Sequence, residues 1–378
     1  PTRRYRMSSA APRSPLIDTL KGLACATIVW HHLAFYGPMS DVAMAWFPGV
    51  LAWLYEYGRM AVQVFLVLGG YLAMASLAPQ GLARFDSAPL QVARRYVRLA
   101  IPYAVALLVA VLVAALVRPW FAHPSVPAEP SLPQLLANAL LLQDIVGEEA
   151  LSAGVWYVAI DFQLFALLVL LLAGVRALPG LAPGQRVLLV RVLVVAGTAA
   201  SLLVFNRHSG LDMWALYFMG AYGLGVMAFW AVRSSRPALW LGGMAVLGAL
   251  ALALDFRARI LVALVSALGL AWALRRPWSL PAGPAVALLQ RLGQMSYSVF
   301  LVHFPVCLLV NALAHQLWPT AVWANALGML AAFGLSLVAG RQLYRAVERP
   351  APTWAQALRW QASLVGAGVL VALPGGVL

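Results

Sequence analysis

The chain has 378 residues, 63% of them hydrophobic and only 10% charged, with a mean hydropathy of +0.85. An ordinary soluble domain carries charge on about a quarter of its residues and is excluded; this composition is that of an all-α, polytopic transmembrane helical bundle. The formal net charge of +14 does not point to nucleic acid, because the basic residues fall between apolar runs, where they report topology.

Residues 1–15 are basic and precede the first predicted span, 16–36. Ala43-Met44-Ala45 has the form of a signal-peptidase site, but a signal core is uncharged and this run holds Lys21, His31 and His32, so a retained first helix is expected. Charges within a bilayer cost at least about 2–3 kcal/mol each and default to a functional reading with a partner. At about 100° per residue, Asp18, Lys21 and His32 project within about 60° of one another, and His32 lies about 16 Å beyond Lys21. Lys21 is the only lysine in the chain. His31 points about 100° away, which leaves His32 the better candidate base near neutral pH. The other reading makes His32 a hydrogen-bonded packing residue and Asp18 with Lys21 an interfacial ion pair.

The second span is predicted at 58–78 and the third at 99–117, after the run Arg94-Arg95-Tyr96-Val97-Arg98. That run is a cytoplasmic positive-inside anchor, or else a phosphate grip, since Arg95 and Arg98 at i, i+3 share a helix face. The segment 118–154 is rich in proline and acid and is expected to form an outer lid or mouth. In the fourth span, 154–175, Trp156 suits the outer interface, and Asp161 needs a partner at its depth. His32 is the natural partner, as a carboxylate orienting an imidazole; the alternative is a helix-pairing contact. Further spans are predicted at 188–205, 213–232, 238–254, 259–274, 294–314 and 321–340, making ten, with His303 in the ninth lining the same cavity or packing in the core. Residues 1–350 thus form one transmembrane domain. The tail, 351–378, holds a possible eleventh span at 362–378, weakened by Pro374.

Cys25 and Cys307 lie in apolar runs and are expected to be packing atoms, with neither a disulfide framework nor a metal site. Counting basic residues by side gives 21 inside against five outside (Arg59, Arg118, Arg207, Arg257 and Arg259) when the amino terminus is cytoplasmic.

Six motifs in order resemble those of the acyltransferase-3 family of bacterial integral membrane acyltransferases, over nearly the whole chain. LIDTLKGLACATIVWHH is similar to its first-helix signature through Lys21 and His32, and VQVFLVLGGYLA to its second helix, with Gly69 and Gly70 where Ser-Gly is usual. RRYVRLAIPY resembles the Arg-x-x-Arg element through Arg95 and Arg98, and WYVAIDFQLF the Glu-x-Gln element through Trp156, Asp161 and Gln163. LGQMSYSVFLVHFPV resembles the Gly-x-x-Ser-Tyr-Ser element through Gly293, Ser296, Tyr297 and Ser298, and VERPAP the closing Glu-x-Pro through Glu348 and Pro350. Lys21 stands for the usual Arg and Asp161 for the usual Glu, both with charge retained.

The resemblance implies transfer of an acyl group, most often acetyl, from cytoplasmic acyl-CoA to a hydroxyl of an extracytoplasmic glycan, lipopolysaccharide or lipid-linked sugar at the bacterial inner membrane, with no metal. On that reading His32 is base or acyl acceptor, with Asp161, Lys21 and Asp18 beside it. Arg95, Arg98, Ser296, Tyr297 and Ser298 hold the donor, while Trp156, Gln163, His303 and His31 line the acceptor cavity. The rival from another class is a proton-coupled secondary transporter or exporter, which also needs intramembrane charges but not an inner phosphate site.

Overall fold

The computed structural model describes residues 14–276, 280–281 and 283–373, and within them every regular element is helical. Arg3, Arg4, Arg6 and Arg13, and residues 374–378 of the tail with Pro374, lie outside the described residues.

Helix α1 (Pro15–Phe35) opens on Ser14, whose side chain accepts from the Ile17 amide. Pro15 takes the first helical position and Asp18 the first turn, where the helix dipole favours an anion. Two short helices, α2 (Pro38–Ala43) and α3 (Pro48–Tyr57), each start at a proline. A 3-10 turn at Gly58–Ala61 carries α3 into α4 (Val62–Leu77), so one 30-residue apolar stretch, Pro48–Leu77, replaces the predicted span 58–78.

Helix α5 (Ala88–Val117) is capped by Ser87 and starts well before the predicted residue 99. The arginine run therefore lies within a helix instead of ahead of one. Between α5 and α8 (Trp156–Ala177) stand α6 (Leu132–Ala139), opened by a Ser131–Gln134 capping box, and the single turn α7 (Gln143–Val146). Next come α9 (Pro183–Leu203), α10 (Ala215–Arg233), α11 (Pro237–Leu254) and α12 (Ala258–Leu274). Helix α13 (Pro284–Gln294) is short and amphipathic, and no long apolar run marks it in the sequence. The chain closes with α14 (Ser296–Leu317), α15 (Val322–Leu343) with its π-helical turn at Tyr344–Glu348, and α16 (Trp354–Ala372).

Among the described residues eight helical stretches are long and apolar enough to cross a membrane: α3–α4, α5, α8, α9, α10, α11, α14 and α15. Helix α12, with 17 residues, is apolar but shorter. Helix α1 is absent from the set because Asp18, Lys21, His31 and His32 lower its hydropathy, and α16 carries Gln356, Arg359 and Gln361.

Helix α10 is the hub. It is buried on nearly all sides by α4, α8, α9, α11 and α12, while α11 turns large apolar side chains such as Leu239 and Val246 outward, as a lipid-facing helix does. Glycines set the closest approaches. A Cβ on Gly70 would lie 1.9 Å from the Tyr222 carbonyl oxygen and one on Gly225 1.9 Å from that of Val67, so α4 and α10 touch backbone to backbone. The same device joins α1 to α13, where a Cβ on Gly293 would sit 1.8 Å from the Asp18 carbonyl oxygen and one on Gly22 2.0 Å from that of Leu289. Helices α1 and α14 run parallel in fixed register, Cys25 meeting Ser296 and His32 meeting His303.

Candidate active site

Two cavities lie end to end inside the bundle. The first, of about 620 Å³, is lined by Lys21 of α1, Gly69 of α4, Arg95 and Arg98 of α5, Tyr157 and Asp161 of α8, Ser296 and Tyr297 of α14, and Glu348 of the π-helical turn. Arg95 donates to the Asp161 carboxylate and lies 5.1 Å from the centre of the Phe165 ring. Lys21 and Arg98 make no ion pair among the described residues, so three cations face two acids and the cavity is net positive. Ser298 donates to Glu348 at 2.5 Å, and the Tyr297 hydroxyl donates to the Leu99 carbonyl at 3.0 Å.

The second cavity, of about 690 Å³, is lined by His31, His32, Arg59, Asp144, Glu148, Glu149, Trp156, Asp212, Tyr217 and Arg259, among others. His32 is buried. Its Nδ1 is 2.5 Å from Nε2 of His303, the two rings lie 4.8 Å apart and 6° from parallel, and His303 Nδ1 is 2.6 Å from the Phe300 carbonyl oxygen. His31 turns the other way and donates from Nδ1 to the Leu54 carbonyl at 2.8 Å. Gly154 has φ +77°, and a Cβ there would meet His32 Cε1 and the Phe300 ring at 3.1 Å, so both backbone and space call for glycine. On the rim, burial raises the Asp144 carboxyl above the ordinary carboxylate range, although Gln143 donates to it at 2.9 Å.

Phe300 lines both cavities. Its ring stands edge-on to Tyr157, with centroids 5.6 Å apart and planes at 75°. Phe300 is thus an aromatic partition between the cation-rich cavity and the one holding His32, with Tyr157, which lines the first, packed against it.

The expected pairing of His32 with Asp161 is not formed, and this corrects the sequence reading. Gly154, just before α8, already touches His32, so Asp161 lies more than a turn further along α8, among the lining of the other cavity and beside Arg95. His303 takes the place beside His32; fully buried, it stands behind His32 and lines neither cavity. Gln163 lines neither cavity as well. Its amide donates to the Met213 carbonyl at 3.2 Å and accepts from the Ala215 amide at 2.9 Å, satisfying the uncapped start of α10. Asp18 accepts from Gln294 at 3.3 Å and forms no ion pair with Lys21 among the described residues. Ser298 is buried behind Ser296 and Tyr297 on Glu348. Trp156 is stacked on Phe218 at 5.4 Å within the second cavity.

Sequence reasoning assigned no site role to Glu348, Tyr157 or Phe300. Glu348 carried a signal, an acid ending a long apolar stretch two residues before Pro350, and its π-helical turn is a form common at functional sites. The aromatic pair carried none, being two apolar residues among many.

Residues 15–341 match the acyltransferase-3 family model, described as an acyltransferase domain. No curated protein and no solved structure matches the chain.

Proposed function

The chain belongs to the acyltransferase-3 family and is a multi-pass membrane acyltransferase; from that premise we propose that it moves an acetyl group from cytoplasmic acyl-CoA to a hydroxyl of an extracytoplasmic glycan or glycolipid, in a bacterial inner membrane. On this reading α1 and α12 cross together with the eight apolar stretches, ten crossings in all, α16 adds an eleventh, and the excess of basic residues places the amino terminus in the cytoplasm. The cation-rich cavity then faces the cytoplasm, a direction supported by Arg84, Arg94 and Arg176 near the same ends of α4, α5 and α8.

The observation that carries this reading is the pair of cavities meeting at one partition, arginines on one side and His32 on the other. Guanidinium groups suit the phosphates of the donor, and Lys21 lines the same cavity, where it would offset charge on the departing thiolate. In the base form of the reaction the acceptor hydroxyl gives its proton to His32 and its oxygen attacks the thioester carbonyl. The C–O bond forms, the C–S bond breaks, and the proton finally reaches the CoA sulfur. In the carrier form His32 holds the acyl group between two transfers.

The test is acetyl-CoA binding to the purified protein, wild type beside Arg98→Ala, followed by CoA release with a sugar acceptor present. Arg98 is the cleaner target, because Arg95→Ala would strand the Asp161 carboxylate. Arg98→Ala should weaken donor binding about 10- to 100-fold, and His32→Ala should abolish release while leaving the fold intact. Full activity in His32→Ala would sink the assignment. Acid quenching with labelled donor separates the two forms, since only the carrier leaves label on the protein.

A further inference from the structure

The hydrogen bonds behind His32 fix which of its nitrogens bears the proton. His303 Nδ1 lies 2.6 Å from the Phe300 carbonyl oxygen, which has lone pairs only, so His303 is protonated at Nδ1. A neutral imidazole with its proton there presents a bare Nε2. That Nε2 lies 2.5 Å from His32 Nδ1, and since two bare nitrogens would repel at this separation, His32 Nδ1 is the donor. What remains is His32 Nε2, unprotonated and with no hydrogen-bond partner among the described residues. The Cε1 atom beside it faces Gly154, which lines the second cavity with His32.

We propose that His303 is a positioning residue of the acyl transfer, locking His32 into the Nδ1–H tautomer so that its bare Nε2 meets the acceptor hydroxyl. The proposal rests on the reading of His32 as the base. His303 does here what a carboxylate does for an imidazole elsewhere, without placing an uncompensated anion in the bundle interior. The relay also has somewhere to send charge. As His32 takes the hydroxyl proton at Nε2, its Nδ1 proton passes to His303 Nε2, and the resulting imidazolium keeps its Nδ1–H on the Phe300 carbonyl. One proton enters the pair and one positive charge is held, ready to return to the leaving sulfur.

The test uses the full chain with its six histidines labelled with 15N, the signals assigned by their loss in His32→Gln and His303→Gln. In the wild type both residues should show a protonated Nδ1 and a bare Nε2. In His303→Leu, His32 should revert to a mixture dominated by the Nε2–H form. Its kcat should fall about 10²- to 10⁴-fold with the donor KM unchanged. His303→Gln, whose amide oxygen can accept the same proton, should keep the Nδ1–H form and recover activity to within about tenfold of wild type. A wild-type His32 protonated at Nε2 overturns the proposal whatever the variants do. So does a His303→Leu protein with unchanged tautomer and kcat. An active His32→Ala protein instead defeats the underlying assignment of the base, which keeps the two failures apart.

Discussion

Asp144 sits on the rim of the second cavity with its carboxyl pushed above the ordinary range by burial. The folded protein then holds that proton more tightly than the unfolded chain does. The resulting stabilisation is full below the ordinary carboxylate range and is lost as pH rises through the raised value. Asp144→Asn, which cannot ionise, should melt about 1–2 °C above wild type near neutral pH and level with it in acid; equal melting at both would refute the sign. The interior pair behaves differently. Asp161→Ala leaves Arg95 half-buried without its acid and should cost about 2–3 kcal/mol, whereas Arg95→Ala/Asp161→Ala should cost less than the sum of the single changes, as a double-mutant cycle of melts would show. The sequence marked these residues because charge in a bilayer is expensive. It could not say which acid meets which base, because Asp161 and His32 have similar depths when counted along their own helices, and only packing decides which face turns where.

At the scale of the element, backbone-to-backbone glycine contacts hold the site walls in place. Gly293→Ala would drive a methyl into the Asp18 carbonyl, part α13 from α1 and shift Lys21, one turn beyond Asp18. A loss of about 1–3 kcal/mol and weaker donor binding are expected. Gly242 of α11 has nothing within 4 Å of such a methyl. Gly242→Ala should melt at or above the wild-type temperature, since alanine is the better helix former, and a loss there as large as at Gly293 would show that contact with the added methyl is not what separates the two sites. The short amphipathic α13 was not legible in the sequence, whereas the long apolar helices were, since such runs admit little else. Helix ends were less so. The run Arg94–Arg98 looks the same as a surface anchor or as an early turn of α5, and the Ser87 cap that settles it lies far from the apolar window.

For the whole molecule, the consequence lies in the aromatic partition. A chain with lysine, arginines, acids and histidines lining two interior cavities contains the parts of an ion pathway, and Phe300 is common to both cavities. Phe300, edge-on to Tyr157, stands where the two cavities meet, and insulation is expected to rest on that contact. Phe300→Ala removes the ring that both cavities share. In sealed vesicles holding a proton gradient, the wild-type protein should leave the gradient standing and Phe300→Ala should let it run down several-fold faster, as read by a trapped pH dye; equal decay would mean that the seal lies elsewhere. A leak through that contact would drain the gradient of the membrane that holds the protein, so loss of the Phe300 ring is expected to be costly apart from any effect on acyl transfer.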